Sequence, residues 1–165
     1  MAAKVKVLAV AAATGRIGYV FLVDGELRDW QLSKKAATSV ELASAYADNW
    51  ITTLHPDVVV TEDIRKRSSK GRKTRALIAS VSEITTKRCL LDVKVPRSSA
   101  YANKYEEADA LGKRFPELAA WVPKKPKVWE TEPKNTVYFE ALALALQAMG
   151  NYDIAHGFQQ SVMVE

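Results

Sequence analysis

The sequence has few of the residues that build disulfides and zinc sites. Among 165 residues there is one cysteine, Cys89, and there are two histidines. One cysteine cannot form an internal disulfide, and this set of residues does not make up a recognisable zinc site. No apolar run approaches the roughly 18 residues that a membrane span needs. These absences predict a globular protein without a membrane contact, and the cysteine content favours the cytoplasm.

The positive charge is concentrated in one segment of the chain. The formal net charge is +5. Between Thr61 and Arg75 there are two acidic residues and seven basic ones, which are Arg65, Lys66, Arg67, Lys70, Arg72, Lys73 and Arg75. The excess within this segment equals that of the whole chain, so the remainder is balanced. Clustered positive charge indicates a polyanionic partner such as nucleic acid. The alternative is a solvated basic loop and helix start.

Hydrophobic periodicity and turn signals predict three strands followed by alternating helices and strands. The predicted strands are Lys4–Ala11, Ile17–Val23, Glu26–Leu32, Asp57–Thr61 and Arg88–Lys94, and the predicted helices are Thr38 to Pro56, Lys70–Thr86, Tyr101–Phe115 and Thr136–Met149. Asp24-Gly25 is a strong hairpin turn signal, and Thr38 has capping-box spacing to Glu41. This order predicts an α/β fold. We expect a mixed five-stranded sheet, with three antiparallel strands and then parallel strands, and helices on both faces. At this length one domain is expected over residues 1–150, with a C-terminal tail over 151–165.

Two elements of this pattern place carboxylates where a site is expected. Glu62 and Asp63 follow the apolar strand "DVVVT", and open α/β sheets place their sites at the carboxyl ends of strands. Asp63 points away from Glu62 on an extended chain, so it is also read as a strand-end or helix-capping acid. Glu140 is the only charge in "VYFEALALALQAM". A helix apolar on nearly all sides is buried, and a buried carboxylate needs a partner or a cation. A structural acid at the rim is the alternative.

Five segments, in this order, carry a resemblance to a known superfamily. They are "VLAVAAATGRIGYVFL", "HPDVVVTED", "ANKYEEADALGKRFPELA", "KKPKVWETEP" and "YFEALALALQAM". Together they resemble the ribonuclease H-like superfamily, and more closely its RuvC-like branch of Holliday-junction resolvases. Within that branch they are similar to an uncharacterised bacterial group. The resemblance covers about Val5–Met149.

The resemblance implies metal-dependent cleavage of phosphodiester bonds. In such proteins carboxylates from separate elements hold divalent metals about 4 Å apart, and Mg²⁺ or Mn²⁺ prefers oxygen ligands. It implies Glu62 and Glu140 as metal ligands and Glu132 and Asp63 as further catalytic candidates. It also implies Lys104, in the predicted helix Tyr101–Phe115, as a contact to phosphate. A solvated loop acid and a surface lysine are the alternatives for Glu132 and Lys104.

One position departs from the family pattern. The Asp expected on the first strand, which usually bridges both metals, falls on Ala11. Alanine offers neither a ligand nor a charge. We therefore expect a degenerate, RuvC-like module that binds nucleic acid without cutting it. DNA is favoured over RNA, and both a branched and an unbranched substrate stay open. Two alternatives stay open, which are an active Mg²⁺- or Mn²⁺-dependent nuclease or junction resolvase using Glu62 and Glu140, and a structural or protein-interaction domain. A homodimer is compatible with the two-fold symmetry of a junction.

The aromatic residues and the cysteine are expected to be structural. Trp30, Trp50 and Trp121 are predicted in or near the core. Trp129 is predicted to anchor its Pro/Lys-rich loop, and stacking on a base is the alternative. Cys89 is predicted as a buried strand residue.

Overall fold

A mixed sheet organises the chain in the computed structural model, which describes residues 4–65, 70–97 and 101–150. The strands are β1 (Lys6–Ala13), β2 (Arg16–Val23), β3 (Glu26–Ser33), β4 (Val58–Glu62) and β5 (Leu91–Val95). The helices are α1 (Val40–Leu54), α2 (Arg72–Lys87), α3 (Lys104–Arg114) and α4 (Thr136–Ala148), with short 3₁₀ helices at Lys35–Ala37 and Pro116–Trp121. None of the helices in these ranges is long and apolar enough to cross a bilayer.

The five strands lie in the order β3-β2-β1-β4-β5. The first three pair antiparallel, whereas β4 runs parallel to β1 and β5 runs parallel to β4. The turn between β2 and β3 has positive φ at both Asp24 (54°) and Gly25 (82°), as a tight hairpin with right-handed twist requires. The predicted mixed sheet with helices on both faces is therefore confirmed, and the first three strand predictions match within two residues.

Alternating residues of β1 supply the two faces of the core. Ala9 and Ala11 belong to the buried cluster that includes α4, whereas Leu8 and Val10 belong to the cluster that includes α1 and α2. Because side chains alternate along a strand, one strand can be covered by helices on both sides. Ala11 is thus on the α4 face, and its side chain is 2% exposed.

Helix α4 approaches the sheet closely beside Ala11. Gly18 is the register partner of Ala11 on β2. A Cβ at Gly18 would come within 2.6 Å of Val137 Cγ1 and 3.0 Å of the Gln31 carbonyl oxygen. Small residues on both strands therefore allow α4 to pack here. The prediction that α4 is buried is confirmed, because its apolar side chains from Val137 to Leu146 are almost completely covered.

Several local predictions are wrong for identifiable reasons. Ser39, not Thr38, caps α1, since its side chain accepts from the Leu42 amide, while a preceding 3₁₀ turn uses the Thr38 hydroxyl as a donor to the Lys35 carbonyl. Cys89 is exposed, because it lies in the turn before β5 with a φ of 58°. That turn delays the start of the strand to Leu91.

The tryptophans divide into packed and exposed ones. Trp50 is buried, and Trp30 packs edge-to-face on Trp121 with ring centroids 5.6 Å apart. Trp121 still keeps about a third of its surface exposed. Trp129 is 79% exposed, so the prediction that it anchors its loop is wrong.

Candidate functional site

A polar pocket of about 190 Å³ opens beside α4. It lies between the end of β1, the start of α2, the first half of α3 and the first two turns of α4. Its charged lining residues are Lys70, Arg97, Lys104, Glu107, Glu132 and Glu140, and Ala13, Thr14, Gly71, Thr74, Thr136 and Phe139 complete the wall. The fold therefore brings to one place four of the residues singled out in the sequence, which are Lys70, Lys104, Glu132 and Glu140.

Glu140 makes an ion pair with Lys70 inside this pocket. The Lys70 ammonium lies 2.7 Å from Glu140 Oε2 and donates to Oε1 at 2.8 Å. The two side chains are only 14% and 13% exposed. A carboxylate on an otherwise apolar helix needs a compensating charge, and here a lysine from the segment before α2 provides it.

Glu132 is held by two basic side chains. It makes ion pairs with Arg16 and with Lys104. Arg16 also donates to the Thr14 carbonyl at 2.8 Å and lies within 3.4 Å of Thr136 Oγ1. Burial lowers the pKa of the Arg16 guanidinium, and the negative charge of Glu140 partly opposes that effect. Glu132 is therefore part of an ordered ion-pair network and is not simply a solvated loop acid.

Glu107 and Arg97 form a third pair on the wall made by α3. The Arg97 guanidinium donates to Glu107 Oε1 at 2.5 Å, and Glu107 is 1% exposed. The sequence reading missed Glu107, Arg97 and Arg16. Glu107 did leave a signal, because it lies on the same helix face as the buried Ala108 and Leu111, much as Glu140 lies within an apolar helix.

The positive charges are close enough to influence one another. Burial lowers the pKa of the Lys104 ammonium, and the nearby charge of Lys70 lowers it further. Glu140 opposes this shift, whereas Arg16 and Arg97 add to it. The pocket thus concentrates several cations that repel one another and are held in place by three carboxylates.

Glu62 and Asp63 are buried but do not line this pocket. Glu62 is 2% exposed at the end of β4, and within the described residues its Oε1 has no hydrogen-bond partner. Asp63 Oδ1 accepts from the backbone amide of Arg65 at 3.1 Å and from its Nε at 3.0 Å, and Oδ2 accepts from Nη2 at 3.2 Å. Asp63 therefore stabilises the turn that leaves β4.

The carboxylates on the pocket wall are balanced by side-chain cations. In residues 4–65, 70–97 and 101–150, no three His, Cys, Asp or Glu side chains are grouped so as to hold a metal ion. The Ala11 position lies in the apolar cluster under α4. Each carboxylate on the pocket wall is paired with a lysine or an arginine. Side-chain cations thus supply the positive charge that grouped carboxylates require.

The basic segment continues from this pocket onto the start of α2. Arg72, Lys73 and Arg75 are exposed on its first turn, which has no acidic residue, and Gly71 provides no side-chain cap. Cations at a helix N-terminus oppose the helix dipole and cost about 0.3–1 kcal/mol each. Arg65 is exposed and paired with Asp63. Lys66 and Arg67, which were predicted to bind nucleic acid, lie outside the described residues.

The fold is shared with Holliday junction resolvases. No family model and no curated protein sequence matches the chain. Among solved structures, RuvC from Thermus thermophilus aligns at a TM-score of 0.55 and 11% identity, over 88% of this chain and 97% of RuvC. The Fowlpox virus resolvase in complex with Holliday junction DNA aligns at 0.56 and 14%, over 87% and 96%. The yeast mitochondrial Holliday junction resolvase aligns at 0.51 and 10%, over 98% and 86%. The chain therefore has a RuvC-like, ribonuclease H-like fold.

Proposed function

We propose that the chain binds branched DNA across the basic start of α2 and the adjoining pocket, and that it does not hydrolyse it. The observation that carries this proposal is that Glu107, Glu132 and Glu140 are each paired with a basic side chain. Carboxylates neutralised from within the chain neither recruit metal readily nor repel phosphate strongly. The exposed basic side chains at the start of α2 are then left to face a ligand.

The start of α2 is the main phosphate contact in this proposal. Arg72, Lys73 and Arg75 are exposed beside backbone amides that have no side-chain cap. Cations around a helix N-terminus repel the positive end of the helix dipole. A phosphate bound there is attracted by both the dipole and the cations, and it relieves their mutual repulsion. Lys104, whose side chain is 45% exposed, is the second contact, on the other side of the pocket. Arg65 is proposed as an outlying contact.

A second candidate function rests on Glu62. A buried carboxylate oxygen without a partner is costly, and a cation at that point would satisfy it. Under this alternative, Glu62 and Glu140 hold Mg²⁺ or Mn²⁺ and the chain is an active nuclease. Lys70 would then have to move away from Glu140.

The binding proposal is tested by fluorescence polarisation with a labelled four-way junction and a duplex of the same arm sequence. Affinity should fall with NaCl concentration, with a log–log slope near −0.9 per phosphate contacted. Reversing Arg72, Lys73 and Arg75 to Glu should weaken binding to every sequence alike and reduce the slope by about 2.7. Binding that does not depend on salt, or that survives the reversals, would overturn the proposal. Light scattering of the complex would report whether two copies bind one junction.

The matched control reverses three other exposed cations to Glu, which are Arg28, Lys87 and Lys113. These three reversals change the net charge by the same amount as the reversals at the start of α2. Lys87 lies at the opposite end of that helix. The control should keep most of the junction affinity. Cleavage is assayed on the same junction with Mg²⁺ and with Mn²⁺. Cleavage by the natural chain that is lost in Glu62→Gln or Glu140→Gln would establish the nuclease alternative.

A further inference from the structure

The loop before α4 presents two apolar side chains to solvent. Val128 is fully exposed and Trp129 is 79% exposed. The turn that carries them is closed at both ends, because the Glu130 amide donates to the Lys127 carbonyl at 2.9 Å and the Lys127 amide donates to Glu130 Oε1 at 2.8 Å. Val128 and Trp129 are therefore the two central residues of a hydrogen-bonded turn. We call this pair the Val-Trp tip.

The surroundings of the Val-Trp tip are cationic. Lys124, Lys125 and Lys127 precede it in the loop. The Lys127 ammonium lies 5.5 Å from the centroid of the Trp129 ring, within the range of a cation–π contact. A flat aromatic face next to a lysine suits a ligand that is aromatic and anionic at once. A nucleotide base with its phosphate has this combination, whereas an apolar protein surface would desolvate the lysine charge without supplying an anion.

The Val-Trp tip is tethered to the pocket described above. Glu132 lies three residues beyond Trp129 and is fixed by Arg16 and Lys104. Three residues of extended chain span at most about 10 Å. Nucleic acid on the rim of the pocket is thus within reach of the tip.

We propose that Trp129 stacks on an unpaired or splayed base, with Lys127 against the neighbouring phosphate and Val128 beside the ring. This inference rests on the proposed function, since it names the part of the nucleic acid that the tip recognises. A regular duplex offers no free base face, whereas single strands and branch points do. Every base has such a face, so the contact selects structure and not sequence.

The test compares the natural chain with Trp129→Ala and Trp129→Phe on three probes, which are a 16-nucleotide oligo(dT), a four-way junction and an intact duplex. Trp129→Ala should weaken binding to oligo(dT) and to the junction by about 5- to 150-fold, the range of one lost base stack. The effect on duplex should be less than about twofold. Trp129→Phe should retain most of the affinity. The salt slope should not change, because no phosphate contact is removed.

Leu91→Ala is the matched control, because Leu91 is also an exposed apolar residue, at 65%. It lies at the start of β5, in register with the start of β1, whereas the pocket lies at the end of β1. Both exposed substitutions should leave the melting temperature unchanged. If the natural chain binds none of the probes, the proposed function fails and this inference fails with it. If it binds them and Trp129→Ala behaves like Leu91→Ala, only the inference is overturned, and the tip is left to a protein partner. An equal loss on duplex and on single strand would also overturn stacking.

Discussion

The ion pair between Lys70 and Glu140 can be tested by a double-mutant cycle. At 2.7 Å and an effective dielectric constant of about 20, the gross attraction is about 6 kcal/mol. Desolvation of two side chains that are 14% and 13% exposed offsets much of it. Removing one partner of a fully buried pair costs about 3–5 kcal/mol. Because both side chains keep some exposure, we expect Lys70→Met and Glu140→Gln each to lower the free energy of unfolding by about 2–4 kcal/mol.

The assay is urea unfolding at pH 7 of the natural chain, the two single variants and the double variant. We expect the double variant to lose less than the sum of the single losses, with a coupling energy of about 1–3 kcal/mol. For a chain of this size 1 kcal/mol shifts the melting temperature by about 2–4 °C, so each single variant should melt about 4–16 °C lower. The control is the same cycle on Lys113 and Asp109, whose side chains are 79% and 61% exposed. Its coupling energy should be about 0.3–0.5 kcal/mol.

A coupling energy below about 0.5 kcal/mol would refute the reasoning, because the pair would then behave as a solvated surface contact. The Glu140 carboxylate would in that case be free to take a metal ion. Mg²⁺ would be expected to raise the melting temperature of the natural chain by linkage, and Glu140→Gln would be expected to abolish that rise.

Two further predictions concern the core face under α4 and the hydrogen bond between Tyr19 on β2 and Asp29 on β3. Ala11→Asp should lower the free energy of unfolding by more than about 3 kcal/mol, because it places a charge among apolar side chains. A loss below about 1 kcal/mol in urea unfolding would show that this position still accommodates a carboxylate. Burial and the hydrogen bond to Asp29 raise the pKa of Tyr19 above its usual value near 10. Above that pH the unfolded chain releases the proton first, so stability should fall as pH rises from about 10. Urea unfolding between pH 9 and 11 should show that the free energy of unfolding falls with pH in the natural chain and falls less in Tyr19→Phe. The same dependence on pH in both proteins would contradict this prediction.

Local sequence determined the elements of the fold and their order. Alternating apolar residues, Asp24-Gly25 and the apolar final helix are short-range signals, and each acts where it stands in the chain. The same kind of signal identified Glu140, whose charge is isolated in an apolar helix. The sequence also predicted that Ala11 lies on the first strand, and the structure places it there.

Tertiary structure decided how the charges are paired and which large side chains face solvent. Arg16 and Glu132 are 116 residues apart and Lys70 and Glu140 are 70 apart, so no local pattern relates them. The exposure of Trp129 depends on whether any other element covers its loop. Composition, turns and periodicity report interactions between near neighbours, whereas ion pairing and burial depend on which distant segments the sheet brings together. The strands and helices could therefore be predicted, but the neutralisation of the pocket could not.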